Sequence, residues 1–184
     1  MSGFENFRLA LILGGARSGK SRYALDLAGA FPPPRLYMAT AEAGDEEMAA
    51  RIAQHRRDRG EGWDTMEAPL DLVGALDQAQ GRYEVILVDC LTLWLSNRLL
   101  LGGDRTELQS VGVELAAAVE NAVTPTILVS NEVGWGIVPE NPLAREFRDR
   151  AGWLHQLIAA AADLVVLLVA GLPLTLKSAH GKGE

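Results

Sequence analysis

The sequence is poor in cysteine: Cys90 is the only one in 184 residues. An internal disulfide and a cysteine-based zinc site are therefore excluded, which suits a reducing compartment and leads us to expect a cytoplasmic protein. An excess of positive charge is also missing. With 17 Lys and Arg against 24 Asp and Glu, the formal net charge is -7, whereas a protein that grips nucleic acid by its phosphates normally presents a basic surface. Any phosphates it binds must be held locally. No stretch approaches the roughly 20 apolar residues of a spanning helix. The start of the chain, with Glu5 ahead of a short apolar run from Leu9, lacks the form of a signal peptide. Low-complexity tracts and internal repeats are absent too. What remains is 48% hydrophobic residues in a chain of one-domain length, enough for a single buried core.

Short β-branched or leucine-rich runs alternate with longer helical patterns, the signature of a parallel sheet flanked by helices, so the expected class is α/β. Strands are expected at Arg8–Leu13, Arg35–Ala39, Val85–Asp89, Thr126–Ser130 and Leu164–Val169, with a short last one at Leu174–Lys177. Helices are expected at Lys20–Ala30, Asp45–Arg59, Leu70–Gln80, Leu91–Leu101, Thr106–Val123 and Leu143–Ala162. Pro32, Pro33 and Pro34 separate the first helix from the second strand, while Pro69 and Pro142 suit first turns of helices. Residues 1–7 and 178–184 are expected to be frayed.

The segment GGARSGKS, comprising Gly14, Gly15, Ala16, Arg17, Ser18, Gly19, Lys20 and Ser21, satisfies GxxxxGK[ST] between an apolar strand and a helix. A glycine-rich turn with a chance Lys-Ser is the alternative, but the strand-to-helix context favours a phosphate loop. Its backbone amides would curl around an anion, Lys20 would reach the outer phosphates and the Ser21 hydroxyl would ligate magnesium. ATP or GTP is the implied ligand. Asp89 ends the run Val85-Ile86-Leu87-Val88-Asp89, where the magnesium of such enzymes is supported. A helix N-cap ahead of Leu91 is its other reading, and the two are compatible.

In Asp45–Arg59, spacing of four sets Arg51, His55 and Arg59 along one helical stripe. Cationic neighbours disfavour protonation of an imidazole, which would keep His55 neutral and nucleophilic while arginines hold phosphate oxygens. That pattern suits attack on a nucleotide α-phosphorus. A basic, solvated helix end with an incidental histidine has the same spacing. His155, in an Ala/Leu/Ile-rich helix, reads as a packing or surface residue, and His180 belongs to the tail. The segment Asn131–Asn141, with Gly134, Gly136, Pro139, Glu132 and Glu140, reads as a shaped loop over the site or as a plain connection.

Several of these strings together resemble one family. They are GGARSGKS, YMAT at Tyr37–Thr40, DEEMAARIAQHRRDR at Asp45–Arg59, the W-x-T-x-E of Trp63, Thr65 and Glu67, and SNEVGWGIVPENPLAREFRDRAGWLHQLIAAAAD at Ser130–Asp163. The sequence is similar to the bifunctional adenosylcobinamide kinases/adenosylcobinamide-phosphate guanylyltransferases of cobalamin biosynthesis, over about residues 8 to 177. That resemblance implies a RecA-like P-loop fold, a homotrimer and two reactions. Adenosylcobinamide would be phosphorylated by ATP or GTP, and GMP would then pass from GTP to adenosylcobinamide phosphate through a covalent histidine, which matches His55. It further implies nucleotide contacts from the phosphate loop and from Ala39, Thr40, Ala41, Arg56, Arg57, Asp58, Arg59, Glu67 and Asp89, with Ser21 and Asp89 at the magnesium. The loop after Ser130 is expected to help receive the corrinoid. A kinase of another small metabolite would leave His55 without a role, and a nucleotide-dependent switch would make no product at all.

Overall fold

The computed structural model of the protein describes residues 7–41, 59–102 and 105–178. Seven strands form one sheet: β1 (Leu9–Gly14), β2 (Arg35–Ala39), β3 (Trp63–Glu67), β4 (Val85–Asp89), β5 (Thr126–Asn131), β6 (Leu164–Val169) and β7 (Leu172–Lys177). Their order is β3-β2-β4-β5-β1-β6-β7. All neighbours pair parallel except β6 with β7. Five helices are described: α1 (Lys20–Ala28), α2 (Leu72–Ala79), α3 (Leu91–Leu100), α4 (Arg105–Glu120) and α5 (Pro142–Ala161). The arrangement is the expected mainly parallel α/β sheet, with one strand, β5, between the phosphate-loop strand and the strand carrying Asp89.

Strand alternation divides the core in two. Leu9, Leu11, Leu13, Leu36, Met38, Ile86 and Val88 face a large cluster with Leu76, Trp94, Leu115, Leu154 and Ile158 from α2 to α5. The intervening residues Ala10, Ile12, Tyr37, Ala39, Leu87 and Val129 face the other side, where Ala24 and Ala28 bring α1 in. Small residues on both partners let α1 lie close to the sheet, which fixes its N-terminus just above β1.

β3 is a strand the apolar pattern does not reveal. As the sheet's outer strand it keeps Asp64, Thr65 and Glu67 exposed, so its sequence lacks the buried signature of its neighbours. β7 begins two residues before the expected strand, at Leu172, because Ala170 and Gly171 take positive φ and close a tight hairpin with β6. Pro69 is not in a helical first turn: α2 starts at Leu72, after Asp71 accepts a hydrogen bond from the Gly74 amide (2.9 Å). Pro142 does open α5, behind an Asn141 cap. Phe7 is not frayed; it is buried and packs edge-on against Phe31. The helix expected at Asp45–Arg59 lies outside the described residues, apart from Arg59 itself.

Trp94 joins these layers. It is buried in the larger cluster, and its Nε1 donates to the Leu70 carbonyl (2.9 Å), fixing the segment between β3 and α2. Trp94→Ala is expected to cost about 3–5 kcal/mol in denaturant unfolding. A loss below about 1 kcal/mol would contradict this role for the indole.

Candidate active site

β1 runs directly into the loop from Gly15 to Gly19, and α1 begins at Lys20. A side chain at Gly14 would overlap Ser18 Oγ and come within 2.8 Å of the Leu168 carbonyl, so only glycine lets the chain turn here. Gly19 caps α1 at φ 96, and Arg17 is left-handed at φ 55. The loop is braced on three sides. Ser18 N donates to Gly15 O (3.2 Å), Glu132 N to Gly14 O (3.0 Å), and Gly171 N, at the β6–β7 hairpin tip, to Ser18 O (2.9 Å).

The Lys20 side chain is buried, with Nζ donating to Gly15 O (3.2 Å). Burial pushes its pKa below the ordinary value, opposed by the charge of Asp89 and then of Cys90. An anionic phosphate beside Nζ would add to the opposing side and favour the ammonium. The Asp89 carboxylate accepts a hydrogen bond from Tyr37 (3.2 Å). Tyr37 titrates far above its usual range, first through burial and then through Asp89, so it remains a neutral donor. Asp89 does not cap α3: the cap position is Cys90, and no side chain there closes the helix. Of its two readings, the geometry supports a carboxylate turned to the cavity.

That cavity, about 610 Å³, lies at the C-terminal edge of the parallel strands. Ala16, Arg17, Gly19, Lys20 and Ser21 form one end; Ala39, Ala41 and Asp89 the floor; Arg59, Thr65 and Glu67 the other end. The adjoining strands β3, β2, β4, β5 and β1 make four interstrand steps, a trough of roughly 19 Å at ordinary strand spacing. Such an edge is where open parallel sheets bind ligands. At the far end the Arg59 guanidinium lies 3.7 Å from the centre of the Tyr37 ring and donates to Thr65 Oγ1 (3.1 Å).

The structure thus brings Lys20, Ser21, Ala39, Ala41, Arg59, Glu67 and Asp89 around one cavity, while Gly14, Gly15 and Ser18 shape the loop from behind. Thr40 does not face the cavity. Its fully buried hydroxyl accepts from Cys90 N and donates to Cys90 O (both 2.8 Å), clipping β2 to the start of α3. His55, Arg56, Arg57 and Asp58 lie outside the described residues. The sequence pattern does not mark Arg22, Tyr37, Thr65, Cys90 or Leu93 as cavity residues; membership of β3 is the signal for Thr65, and Asn131 belongs to the segment expected to form a loop over the site. Among the described residues no group of three His, Cys, Asp or Glu side chains could hold a metal. Magnesium here would rest on the Ser21 hydroxyl, the Asp89 carboxylate, nucleotide phosphates and water, a ligand set that suits this ion.

A second polar group stands behind the cavity. His155 is buried, with Nε2 2.7 Å from Ser130 Oγ and Nδ1 3.9 Å from Glu132 Oε2. The same Glu132 accepts from the Gly134 amide through Oε1 (2.7 Å), so His155 supports the base of the loop after β5.

A family model described as cobinamide kinase / cobinamide phosphate guanyltransferase matches residues 10–176. The bifunctional adenosylcobalamin biosynthesis protein CobP of Pseudomonas aeruginosa is 49% identical over 173 residues, 91% of this chain and 96% of that protein. The protein CobU of Escherichia coli, which carries the same bifunctional description, is 42% identical over 181 residues, 92% of this chain and 99% of its own. Among solved structures, the flagellar accessory protein FlaH from Methanocaldococcus jannaschii superposes with a TM-score of 0.50 at 14% identity, covering 96% of this chain and 81% of that one. An ATPase of a bacterial type III secretion system gives 0.50 at 11% identity, covering 91% and 56%. These two likenesses establish the P-loop fold alone.

Burial lowers the His155 pKa from 6.5, with Glu132 opposing. The unfolded imidazole therefore takes up a proton at higher pH than the folded one. Stability is complete above about 6.5 and declines as the pH falls through the window beneath it. His155→Gln is expected to flatten the dependence of unfolding free energy on pH below about 6.5. An unchanged slope would show that another group governs this window.

Proposed function

The chain belongs to the cobinamide kinase / cobinamide phosphate guanyltransferase family, and from that premise we propose how the cavity at the phosphate loop carries out both reactions. It is a bifunctional enzyme of adenosylcobalamin biosynthesis, a kinase and a guanylyltransferase. The observation that carries the mechanistic reading is the joining, around a single trough, of a phosphate loop with a buried lysine, a strand-end carboxylate and the arginine four residues after His55.

In the first reaction ATP or GTP lies along the trough with its outer phosphates on the loop amides and Lys20. Its base extends towards Glu67. The aminopropanol hydroxyl of adenosylcobinamide attacks the γ-phosphorus and releases its proton to water, the bond to the β,γ-bridging oxygen breaks, and the nucleoside diphosphate leaves. Lys20 and the amides gain most where negative charge accumulates on the transferring group. Magnesium, when bound at Ser21 and Asp89, neutralises charge on the phosphate oxygens.

In the second reaction a neutral His55 nitrogen attacks the α-phosphorus of GTP and pyrophosphate leaves. A phosphate oxygen of adenosylcobinamide phosphate then attacks the guanylyl phosphorus, breaking the P–N bond and yielding adenosylcobinamide-GDP. Arg59, and with it Arg56 and Arg57, binds phosphate oxygens; Asp58, Ala39 and Ala41 complete the surroundings of the nucleotide. Thr40 contributes by holding the Cys90 backbone. The whole chain acts as a single catalytic domain.

The enzyme works in the cytoplasm as a homotrimer. No described helix is long and apolar enough to cross a membrane. Support for association comes from β7, a sheet edge whose Leu172, Leu174 and Leu176 are exposed together.

GTP labelled at the α-phosphate is expected to label the purified protein in magnesium without corrinoid, giving an acid-labile, alkali-stable adduct that His55→Ala loses. Adenosylcobinamide phosphate should discharge it. A parent protein that binds GTP but takes no label would remove His55 from the mechanism.

A further inference from the structure

The cavity accounts for a nucleotide but leaves no place for the much larger corrin ring, of which only the aminopropanol arm has to reach the phosphates. The loop from Asn131 to Asn141 begins at the cavity and runs away from it. It leaves the end of β5, between the strand of Asp89 and the phosphate-loop strand. Asn131 lines the cavity, and the Glu132 amide is bonded to Gly14. Beyond these anchors the loop turns apolar side chains to solvent: Trp135 is 77% exposed, Ile137 97% and Val138 60%. Three large exposed apolar groups between positions 135 and 138, on a loop whose first residue lines the cavity, form a patch that calls for an occupant.

The loop is also held in shape. Glu132 bonds the Gly134 amide at one end; at the other, Arg145 Nη1 donates to the carbonyls of Pro139 (2.9 Å) and Glu140 (2.6 Å), and Asn141 caps α5. A surface fixed before its ligand arrives loses less entropy on binding. Gly136 has no atom within 4 Å of where its Cβ would stand, so the backbone there is open to close approach.

We propose that Trp135, Ile137 and Val138 form the platform on which the corrin ring of cobinamide rests while its aminopropanol arm enters the nucleotide cavity. This rests on the kinase and guanylyltransferase reading above. The chemistry is complementary: the ring presents apolar, methyl-bearing faces to the three side chains, and its peripheral amides meet the open backbone of the loop. The cationic cobalt centre is matched by the nearby carboxylate of Glu140, which is exposed.

The test is equilibrium binding of adenosylcobinamide to the full chain, read from corrin absorbance after ultrafiltration, with GTP binding and solution mass measured in parallel. Trp135→Ala and Ile137→Ser are expected to weaken corrinoid binding by about ten-fold or more, as loss of a central apolar contact does. GTP affinity and mass should not change. Val123→Ser, at an exposed apolar residue just before β5 and so at the end of that strand opposite the loop, should bind as the parent does. Unchanged corrinoid affinity in both loop variants would overturn the platform, and a lowered mass with corrinoid affinity intact would make the patch a contact between copies of this chain. A parent that binds GTP yet neither binds nor converts adenosylcobinamide would overturn the functional reading itself.

Discussion

The site depends on keeping one ammonium group out of bulk water without losing its charge. Lys20 is the first residue of α1, buried beneath a loop whose carbonyls and amides are fixed by β1, β5 and the β6–β7 hairpin. Desolvation works against its proton, and Asp89, two strands away in the sheet, works for it. A polyphosphate placed between the two would resolve this tension far better than water. The alanine-lined face of α1, the glycine at position 14 and the positive φ at Gly19 all serve to hold that geometry. The sheet is thus less a passive scaffold than the means by which a loop, a carboxylate and an aromatic wall are set at fixed spacing.

Much of this was legible in the sequence because buried parallel strands are nearly continuous apolar runs. β2, β4 and β6 occupy the expected residues, and the phosphate loop falls between strand and helix where its motif requires. β3 escaped because an edge strand with exposed Asp64, Thr65 and Glu67 does not look apolar. α2 starts at Leu72 rather than at Leu70 because Asp71, not Pro69, sets its first turn, its side chain capping the helix. Thr40 lies one residue past β2, where its hydroxyl turns to the Cys90 backbone rather than to the cavity, a contact across 50 residues that no local pattern signals. His155 gave no sign of its partners: Ser130 lies 25 residues earlier in the chain and meets it only through the packing of α5 on the sheet.

Two ends of the trough divide the chemistry. Phosphate-loop residues and Asp89 suit a transfer at the outer phosphate, while Arg59 over Tyr37 brings guanidinium charge towards the inner one. In the proposed mechanism, attack at the γ-phosphorus and attack at the α-phosphorus share one nucleotide site, with two nucleophiles approaching one bound triphosphate from different sides. On the reading proposed above, the loop after β5, which begins at the cavity, would let the same corrinoid arm act first as a hydroxyl and then as a phosphate.

That a single nucleotide cavity serves both reactions is the central claim, and the stoichiometry of GTP binding tests it most directly. With His55→Ala, which on the proposed mechanism forms no adduct, equilibrium dialysis in magnesium should saturate at one GTP per chain, with ATP displacing it competitively. Saturation at two per chain, or ATP and GTP bound together, would contradict the account.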